Sequence, residues 1–393
     1  MHFKLRAGSR EPRAGSRLTF NGSRSKAVSH VGYFLIFLGA ATMGLADLPQ
    51  SKWGGGTGRQ VILKADFDSI ERAIIEAFEL NYPPDLVWID AVRVQVPSTA
   101  DCRARIMMSG FPSPLHTGQM VDGSLADGRY RENSSEAVMD FGVPARFWGN
   151  EKANQWYCVY AIAGASDTSF TLKAMPVMRY ASQVAQTITL RNNGDSADIG
   201  YGLISNELQS CKILVLSGAS KGLVRPIIAN NSDNGSGGTL TYSGSVLTMA
   251  RGDWLIVLPN TNFRYLGMIF NDSSSNLLPF MKNKNSVAWG SRRLIVSGAI
   301  NGYQLLDLSY YVPPLAKRLH GLATATNGYD VKAALSYDGV EPTVLVHLSP
   351  PATDFIGSRG AGQFDCQLLD GNNLYLSNEN TAQQLFWAVG WEE

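Results

Sequence analysis

The feature that most constrains this chain is a two-residue alternation of apolar and polar side chains, which begins at Leu86 and returns in many short runs. Val92 to Pro97 shows the alternation most clearly, and Val87 to Ile89 and Ala104 to Met108 are predicted to be strands beside it. Successive side chains of a β-strand point to opposite faces, so this period indicates strands. The 39 glycines and the frequent Asn and Ser residues between the runs indicate many turns. The sequence therefore predicts a mainly β fold built from antiparallel β-sandwiches.

At 393 residues the chain is too long for one ordinary domain and is expected to form two or three. We expect a β-rich domain over 86–292, with a small β-module at about 182–260 inside it or appended to it, and a C-terminal β-sandwich over 293–393. The strands predicted in the module are Ile188–Leu190, Lys212–Leu216, Val224–Ile228, Leu240–Tyr242 and Trp254–Leu258. Those predicted in the C-terminal part are Tyr303–Leu308, Val344–Leu348, Phe364–Leu368, Leu374–Leu376 and Leu385–Val389.

The segment from Phe263 to Trp289 interrupts the alternation in an informative way. Phe263 and Tyr265 alternate with polar neighbours, and the parity shifts after Gly267, which indicates a β-bulge at the glycine. Asn271 to Asn276 has the composition of a turn, and Leu277 to Phe280 resumes an apolar strand. Taken alone, the segment predicts a bulged β-hairpin.

A second strongly apolar run, Gln155 to Ile162, is expected to pair with Phe170 to Ala174 across a polar turn. The polar stretch before it, Met108 to Asn154, is expected to consist of loops. Asn327-Gly328 and Asp338-Gly339 are typical of tight hairpins.

The first 42 residues are rich in Arg and nearly free of acidic side chains, which predicts disorder. Two interpretations of this leader remain open. Residues 31–46 have the short apolar core and small-residue end of a secretory signal. Alternatively, translation begins at Met43 and residues 1–42 are upstream sequence read through in frame.

Residues 43–85 are expected to form an attachment segment with one short amphipathic helix at 64–81. The residues on its apolar face are Phe67, Ile70, Ile74, Ala77 and Phe78. Asp66 and Asp68 offer N-cap oxygens, and Asn81 to Pro84 ends the helix. A helix of this length needs its apolar face covered, either by the β-domain or by the same helix of neighbouring subunits.

Three segments, taken in order, resemble tail-fibre-like virion proteins of bacteriophages and prophages. The first is Trp156 to Ile162, the second is Phe263 to Trp289, and the third is the Val312-Pro313-Pro314 step that follows the Tyr303–Leu308 strand. Met43 to Pro49 is also similar to the start of some phage tail fibres. The resemblance covers roughly Met43 to Lys317, and the order of the segments is more specific than any one of them.

The resemblance implies a structural component of a phage tail, fibre-like or at the tail tip, assembled in the host cytoplasm. By analogy the protein is a homo-oligomer, a trimer, that contacts other virion tail proteins and a host-surface glycan or protein. The alternative is a secreted bacterial β-sandwich protein that binds or hydrolyses glycans.

The cysteines and histidines, which often form metal sites or active sites, do not have the spacing of such sites here. Cys102, Cys158, Cys211 and Cys366 lie far apart without a CxxC pair, so we expect reduced thiols. The five histidines lack metal-ligand spacing. A formal net charge of +1 argues against a nucleic-acid partner. We therefore predict a protein that is not an enzyme, with no catalytic, cofactor-binding or metal-binding residues.

Several short motifs are expected to be incidental. Gly218 to Gly222 lacks the spacing of a phosphate-binding loop, and Arg251-Gly252-Asp253 is expected to be a β-turn rather than an adhesion motif. Glycosylation acceptors at Asn133, Asn234 and Asn271 are frequent by chance in an Asn- and Ser-rich chain. The loops at 111–135 and 350–363 are the preferred candidates for contact with a sugar or a receptor.

Overall fold

The computed structural model describes residues 86–97, 104–108, 110, 129–143, 150–191, 201–232, 238–283, 285–298, 300–325, 331–336, 340, 342–348, 360–369, 373–378 and 384–393. None of these residues lies in a helix, so the prediction of a mainly β fold is confirmed for this part of the chain. It likewise contains no helix long and apolar enough to cross a membrane. The predicted leader and the predicted helix at 64–81 lie outside the described residues.

The strands are numbered in chain order. They are β1 (Val87–Asp90), β2 (Arg93–Val96), β3 (Ala104–Met107), β4 (Tyr130–Asn133), β5 (Ala137–Asp140), β6 (Gln155–Ala163), β7 (Thr171–Pro176), β8 (Met178–Val184), β9 (Thr187–Arg191), β10 (Lys212–Val215), β11 (Val224–Asn230), β12 (Thr239–Tyr242), β13 (Trp254–Leu258), β14 (Asn262–Asn271), β15 (Phe280–Asn283), β16 (Ser286–Ser297), β17 (Ile300–Asp307), β18 (Arg318–Ala325), β19 (Val331–Ser336), β20 (Pro342–Leu348), β21 (Gly360–Gln367), β22 (Asn373–Asn378) and β23 (Gln384–Glu392).

At the centre lies a three-stranded antiparallel sheet, hereafter the central sheet, in the order β14-β6-β7. The expected pairing of β6 with β7 is confirmed. The hairpin expected after β14 is confirmed at its turn, where Asn271 and Leu277 form an antiparallel bridge and the Leu278 N–H donates to the Phe270 carbonyl. It extends no further, because β14 pairs with β6 along its whole length and β15 pairs with β16. Both β6 and β14 are buried on both faces at nearly every position. Such a strand needs a partner inside the core, and the short β15 could not supply it.

The bulge predicted at Gly267 is confirmed, since the register between β14 and β6 shifts between Tyr265 and Gly267. The carbonyl of Leu266, at the shift, accepts a hydrogen bond of 2.5 Å from Nζ of the buried Lys282. Gly267 has φ +149°, and a Cβ there would lie 2.8 Å from the same Nζ. The glycine is thus needed for both its backbone conformation and its lack of a side chain.

Between β7 and β14 the chain forms a closed six-stranded barrel in the order β10-β11-β12-β9-β8-β13. It closes because β13 pairs with both β10 and β8. The five strands predicted in the small β-module are confirmed as β9 to β13. Only Val177 separates β7 from β8, so the barrel is inserted between two strands that flank β6.

Strands β16 to β23 form two further sheets, β16-β23-β18-β21 and β17-β22-β19-β20, with β15 added at the edge of the first. The chain passes from one sheet to the other at each step except between β19 and β20. This is the strand order of an eight-stranded jelly roll. The strands predicted in this part are confirmed.

The two hairpin signals in the jelly roll have different outcomes, although their turn residues lie outside the described part. Strands β19 and β20, on either side of Asp338-Gly339, do pair antiparallel. Strands β18 and β19, on either side of Asn327-Gly328, lie in different sheets, so the hairpin expected there is wrong. Both edges of β18 are already taken, by β21 and β23.

Two small sheets complete the fold, β1-β2-β5 and β3-β4. The stretch from Met108 to Asn154, expected to consist of loops, therefore contains two strands, β4 and β5. The first sheet is tied to the turn after β14, where Trp88 Nε1 donates to the Leu277 carbonyl and the Leu277 N–H donates to that of Ala91. All the described residues belong to one compact unit with a continuous hydrophobic core.

We predict that Gly267→Ala lowers the free energy of unfolding by about 1–3 kcal/mol, because it strains the backbone and displaces the buried Lys282 ammonium. Gly298→Ala is the matched control. Gly298 also has a positive φ, +102°, but a Cβ there would meet nothing within 4 Å. Urea unfolding of both variants measures the difference. Equal losses would show that Lys282 does not constrain the bulge.

Candidate functional site: an aromatic cage at the module junction

The side chain of Arg293, on β16, lies among four aromatic rings, hereafter the cage. Its Cζ is 4.8 Å from the ring centroid of Phe270, 5.0 Å from that of Trp289, 4.7 Å from that of Tyr310 and 5.4 Å from that of Tyr311. Phe270 comes from the central sheet, Trp289 from β16, and the two tyrosines from the loop between β17 and β18. The cage therefore joins the central sheet to the jelly roll.

Two opposing effects act on the guanidinium of Arg293. Burial lowers its pKa to about 10, because the apolar surroundings penalise the charged form. The nearby tyrosines and Asp272 oppose that shift. Each ring face also attracts the cation, by roughly 0.5–2 kcal/mol per contact. Arg293 Nη1 has no hydrogen-bond partner among the described residues, while a hydrogen bond with the Tyr310 side chain and the ring faces both favour the charged form.

Beside the cage, three tryptophans from three strands pack together, hereafter the tryptophan cluster. The ring centroids of Trp289 and Trp391 are 4.8 Å apart, and Trp156 lies 5.9 Å from the first and 5.7 Å from the second. Trp156 Nε1 donates to the Ser309 carbonyl at 2.7 Å, and Trp289 Nε1 donates to the Tyr311 carbonyl at 3.0 Å. These two bonds fix the β17–β18 loop against the rings.

The barrel is linked to the other two modules by separate contacts. Arg179, on β8, pairs with Asp307 at 3.2 Å, and its guanidinium lies 4.7 Å from the centroid of Trp254. The Asp307 side chain is half exposed, so the ion pair itself contributes little. Inside the core, Tyr160 of β6 donates its hydroxyl to the Val257 carbonyl of β13 at 3.0 Å, and burial keeps the pKa of that phenol raised.

The Lys282 ammonium that donates to the Leu266 carbonyl at the bulge also takes part in a buried ion pair. Lys282 Nζ is 3.5 Å from the Glu393 carboxylate, which also accepts a 3.3 Å hydrogen bond from the Tyr265 hydroxyl. Burial is the main cause of the raised pKa of Tyr265, and the adjacent carboxylate adds to it. The phenol therefore stays protonated and able to donate.

The cage suits a cation and holds one already. Aromatic cages in proteins commonly bind quaternary ammonium ligands. Here the protein's own guanidinium lies among the rings, which indicates a structural rather than a ligand-binding role. Elsewhere in the described residues no three His, Cys, Asp or Glu side chains are grouped closely enough to hold a metal ion. His320 Nδ1 lies 2.5 Å from Asp365 across β18 and β21, and His116 is outside the described residues.

Two short motifs singled out in the sequence contact each other. The β-turn predicted at Arg251 to Asp253 is confirmed by a hydrogen bond from the Asp253 N–H to the Ala250 carbonyl. The Asp253 carboxylate accepts hydrogen bonds from the Ser217 hydroxyl and the Ala250 N–H. A Cβ at Gly218, which has φ +75°, would overlap that carboxylate. The Asp253 carboxylate thus occupies the space that a side chain at position 218 would need, and it stabilises this turn of the barrel.

The remaining motifs are also accounted for where the structure describes them. Cys158, Cys211 and Cys366 are free and buried as expected, whereas Cys102 lies outside the described residues. The Asn133 side chain is bound to the backbone of Phe170, and Asn271 is fully buried, so neither is an accessible glycosylation acceptor. Most residues of the candidate loops at 111–135 and 350–363 lie outside the described part. The described residues near their C-terminal ends include β4 and the first residues of β21.

Sequence reasoning did not find the cage. Arg293 follows Ser291 and Arg292 with no apolar periodicity around it, and an arginine there is ordinarily exposed. The one available signal was indirect. The residues that surround Arg293 and form the tryptophan cluster come largely from the segments that carry the family resemblance.

We predict that Arg293→Lys lowers the free energy of unfolding by about 1–3 kcal/mol, because an ammonium cannot stack on rings and is harder to desolvate. Arg292→Lys is the matched control. Arg292 also lies over a tryptophan, 4.3 Å from the centroid of Trp387, but its side chain is exposed. Denaturant unfolding of the two variants tests this. Similar small losses in both would contradict a structural role for the cage.

Neither a scan against protein-family models nor a search of curated proteins finds a match for this chain. The likeness to tail-fibre-like proteins therefore remains a resemblance in sequence pattern, and the function that it implies is a proposal.

Proposed function

We propose that this protein is a structural component of a bacteriophage tail, fibre-like or at the tail tip. One observation supports this most. The three segments that resemble tail-fibre-like proteins are far apart in sequence, yet they contribute Trp156, Phe270 and Trp289, and the loop of Tyr310 and Tyr311, to one junction.

The architecture is compatible with this role. Jelly rolls occur in viral capsid proteins and in lectins, although a fold by itself does not determine a function. The barrel, the central sheet and the jelly roll share buried contacts instead of being joined by flexible linkers. A rigid arrangement of modules suits a protein that transmits force or fixes geometry in a particle.

The proposal includes self-association and contact with other tail proteins. The apolar face of the expected helix at 64–81 would pack against its copies in a trimer, by analogy with the family that the sequence resembles. The host surface would be contacted by the module loops, and the function requires no catalysis.

We predict that antibodies raised against the purified protein label the tails of phage particles released from its source bacterium, and that the native chain begins at Met43 or Gly44. Immunogold electron microscopy and intact-mass measurement check these two outcomes. Antibodies pre-absorbed with the purified protein are the control. A soluble protein in the medium with a mature chain beginning at Asp47 would instead favour the secreted glycan-binding alternative.

A further inference from the structure

Two registered amide side chains meet at the end of the central sheet. Gln155 on β6 pairs with Asn271 on β14, and both residues are 0% exposed. Registered residues of antiparallel strands point to the same face, with Cβ atoms ~4.5–5.5 Å apart. This face is opposite to the one that carries Trp156 and Phe270, because each amide directly adjoins one of those rings in its strand.

Three of the four polar atoms in this pair have no hydrogen-bond partner among the described residues. They are Oε1 and Nε2 of Gln155 and Oδ1 of Asn271. Only Asn271 Nδ2 is satisfied, by the Glu151 carboxylate at 2.9 Å and the Lys152 carbonyl at 2.8 Å. Buried amides are almost always hydrogen-bonded, since an amide removed from water without a partner is strongly unfavourable.

Reorienting the amides does not solve the problem. Turning the Asn271 side chain over would place Oδ1 against a carboxylate oxygen and a carbonyl oxygen, so acceptor would face acceptor. Turning over that of Gln155 exchanges two atoms that both lack partners. The missing partner must therefore donate and accept at the same time.

We propose that Gln155 and Asn271 bind an internal water molecule that bridges β6 and β14. The water accepts a hydrogen bond from Gln155 Nε2 and donates one to Asn271 Oδ1. Its second hydrogen is available to Gln155 Oε1 or to the Glu151 carboxylate. Buried waters typically make two to four hydrogen bonds to groups of this kind.

The donor set favours water over a metal ion. One of the three atoms is an N–H donor, which repels a cation, and Ca²⁺ requires about 6–8 oxygen ligands. The nearest carboxylate, Glu151, is half-buried and already accepts from Asn271. Partial burial raises the pKa of Glu151, and its hydrogen bond with Asn271 opposes that rise.

Such a water would matter where the ladder ends. Beyond the pair, the Asn154 N–H donates to the Asp272 carbonyl, and Asp272 then begins the turn that runs to Asn276. A bridging water would link the side chains of the two strands next to that backbone hydrogen bond. Asn154, whose side chain accepts a hydrogen bond from the Tyr310 hydroxyl, would be held in place together with these strands.

A crystal structure of the full chain, at a resolution that shows ordered waters, tests the proposal directly. We expect one density peak within hydrogen-bonding distance of Gln155 Nε2 and Asn271 Oδ1. The absence of a peak would overturn the proposal. So would a peak with the short contacts and higher coordination of a metal ion.

Gln155→Met tests the same site in solution, with Gln367→Met on β21 as the control. If the water is bound, the substitution removes one of its anchors and raises the unfolding equilibrium constant by about tenfold or more. If the amides are dry, methionine relieves their burial and the constant falls, which would overturn the proposal. Gln367 is exposed, and its substitution should change the constant by less than about threefold.

Discussion

The pairing of β6 with β14 is the interaction on which the rest of the structure depends. These strands are buried on both faces, so each face must be covered by another part of the chain. Trp156 and Phe270 on one face meet the jelly roll, and Tyr157 on the other packs its ring edge-on against Phe141 beside the first small sheet. The chain enters the barrel after the end of β7 and leaves it before the start of β14. Each module is thus attached to the central sheet.

Burying charge around that sheet is costly, and the chain offsets the cost in two different ways. Lys282 has a carbonyl and a carboxylate within reach, and the carbonyl is that of Leu266 at the bulge. Arg293 instead has aromatic faces, which suit a planar and weakly hydrated guanidinium better than an ammonium. Buried ion pairs seldom add net stability. Their value here is positional, because each cation fits only one arrangement of its neighbours.

Local features of the fold could be predicted from the sequence, and long-range ones could not. The continuous apolar run Trp254–Leu258 and the glycine at 267 indicate a strand and a bulge because both depend on adjacent residues. The main partner of β14 depends on which strand is buried beside it, so its pairing with β6 could not be predicted from adjacent residues. Strand β4 was missed because Tyr130 to Asn133 is polar, and Arg131 is nonetheless buried. The cage was missed because its rings come from distant segments and Arg293 carries no local pattern.

We expect the junction to make the barrel, the central sheet and the jelly roll one cooperative unit. Native-state hydrogen exchange in low denaturant tests it most directly, by comparing backbone amides of β13, β14 and β23. The slowest amides of all three strands should converge on the same opening free energy and the same denaturant dependence. Separate values, with β23 or β13 opening while β14 stays protected, would contradict it.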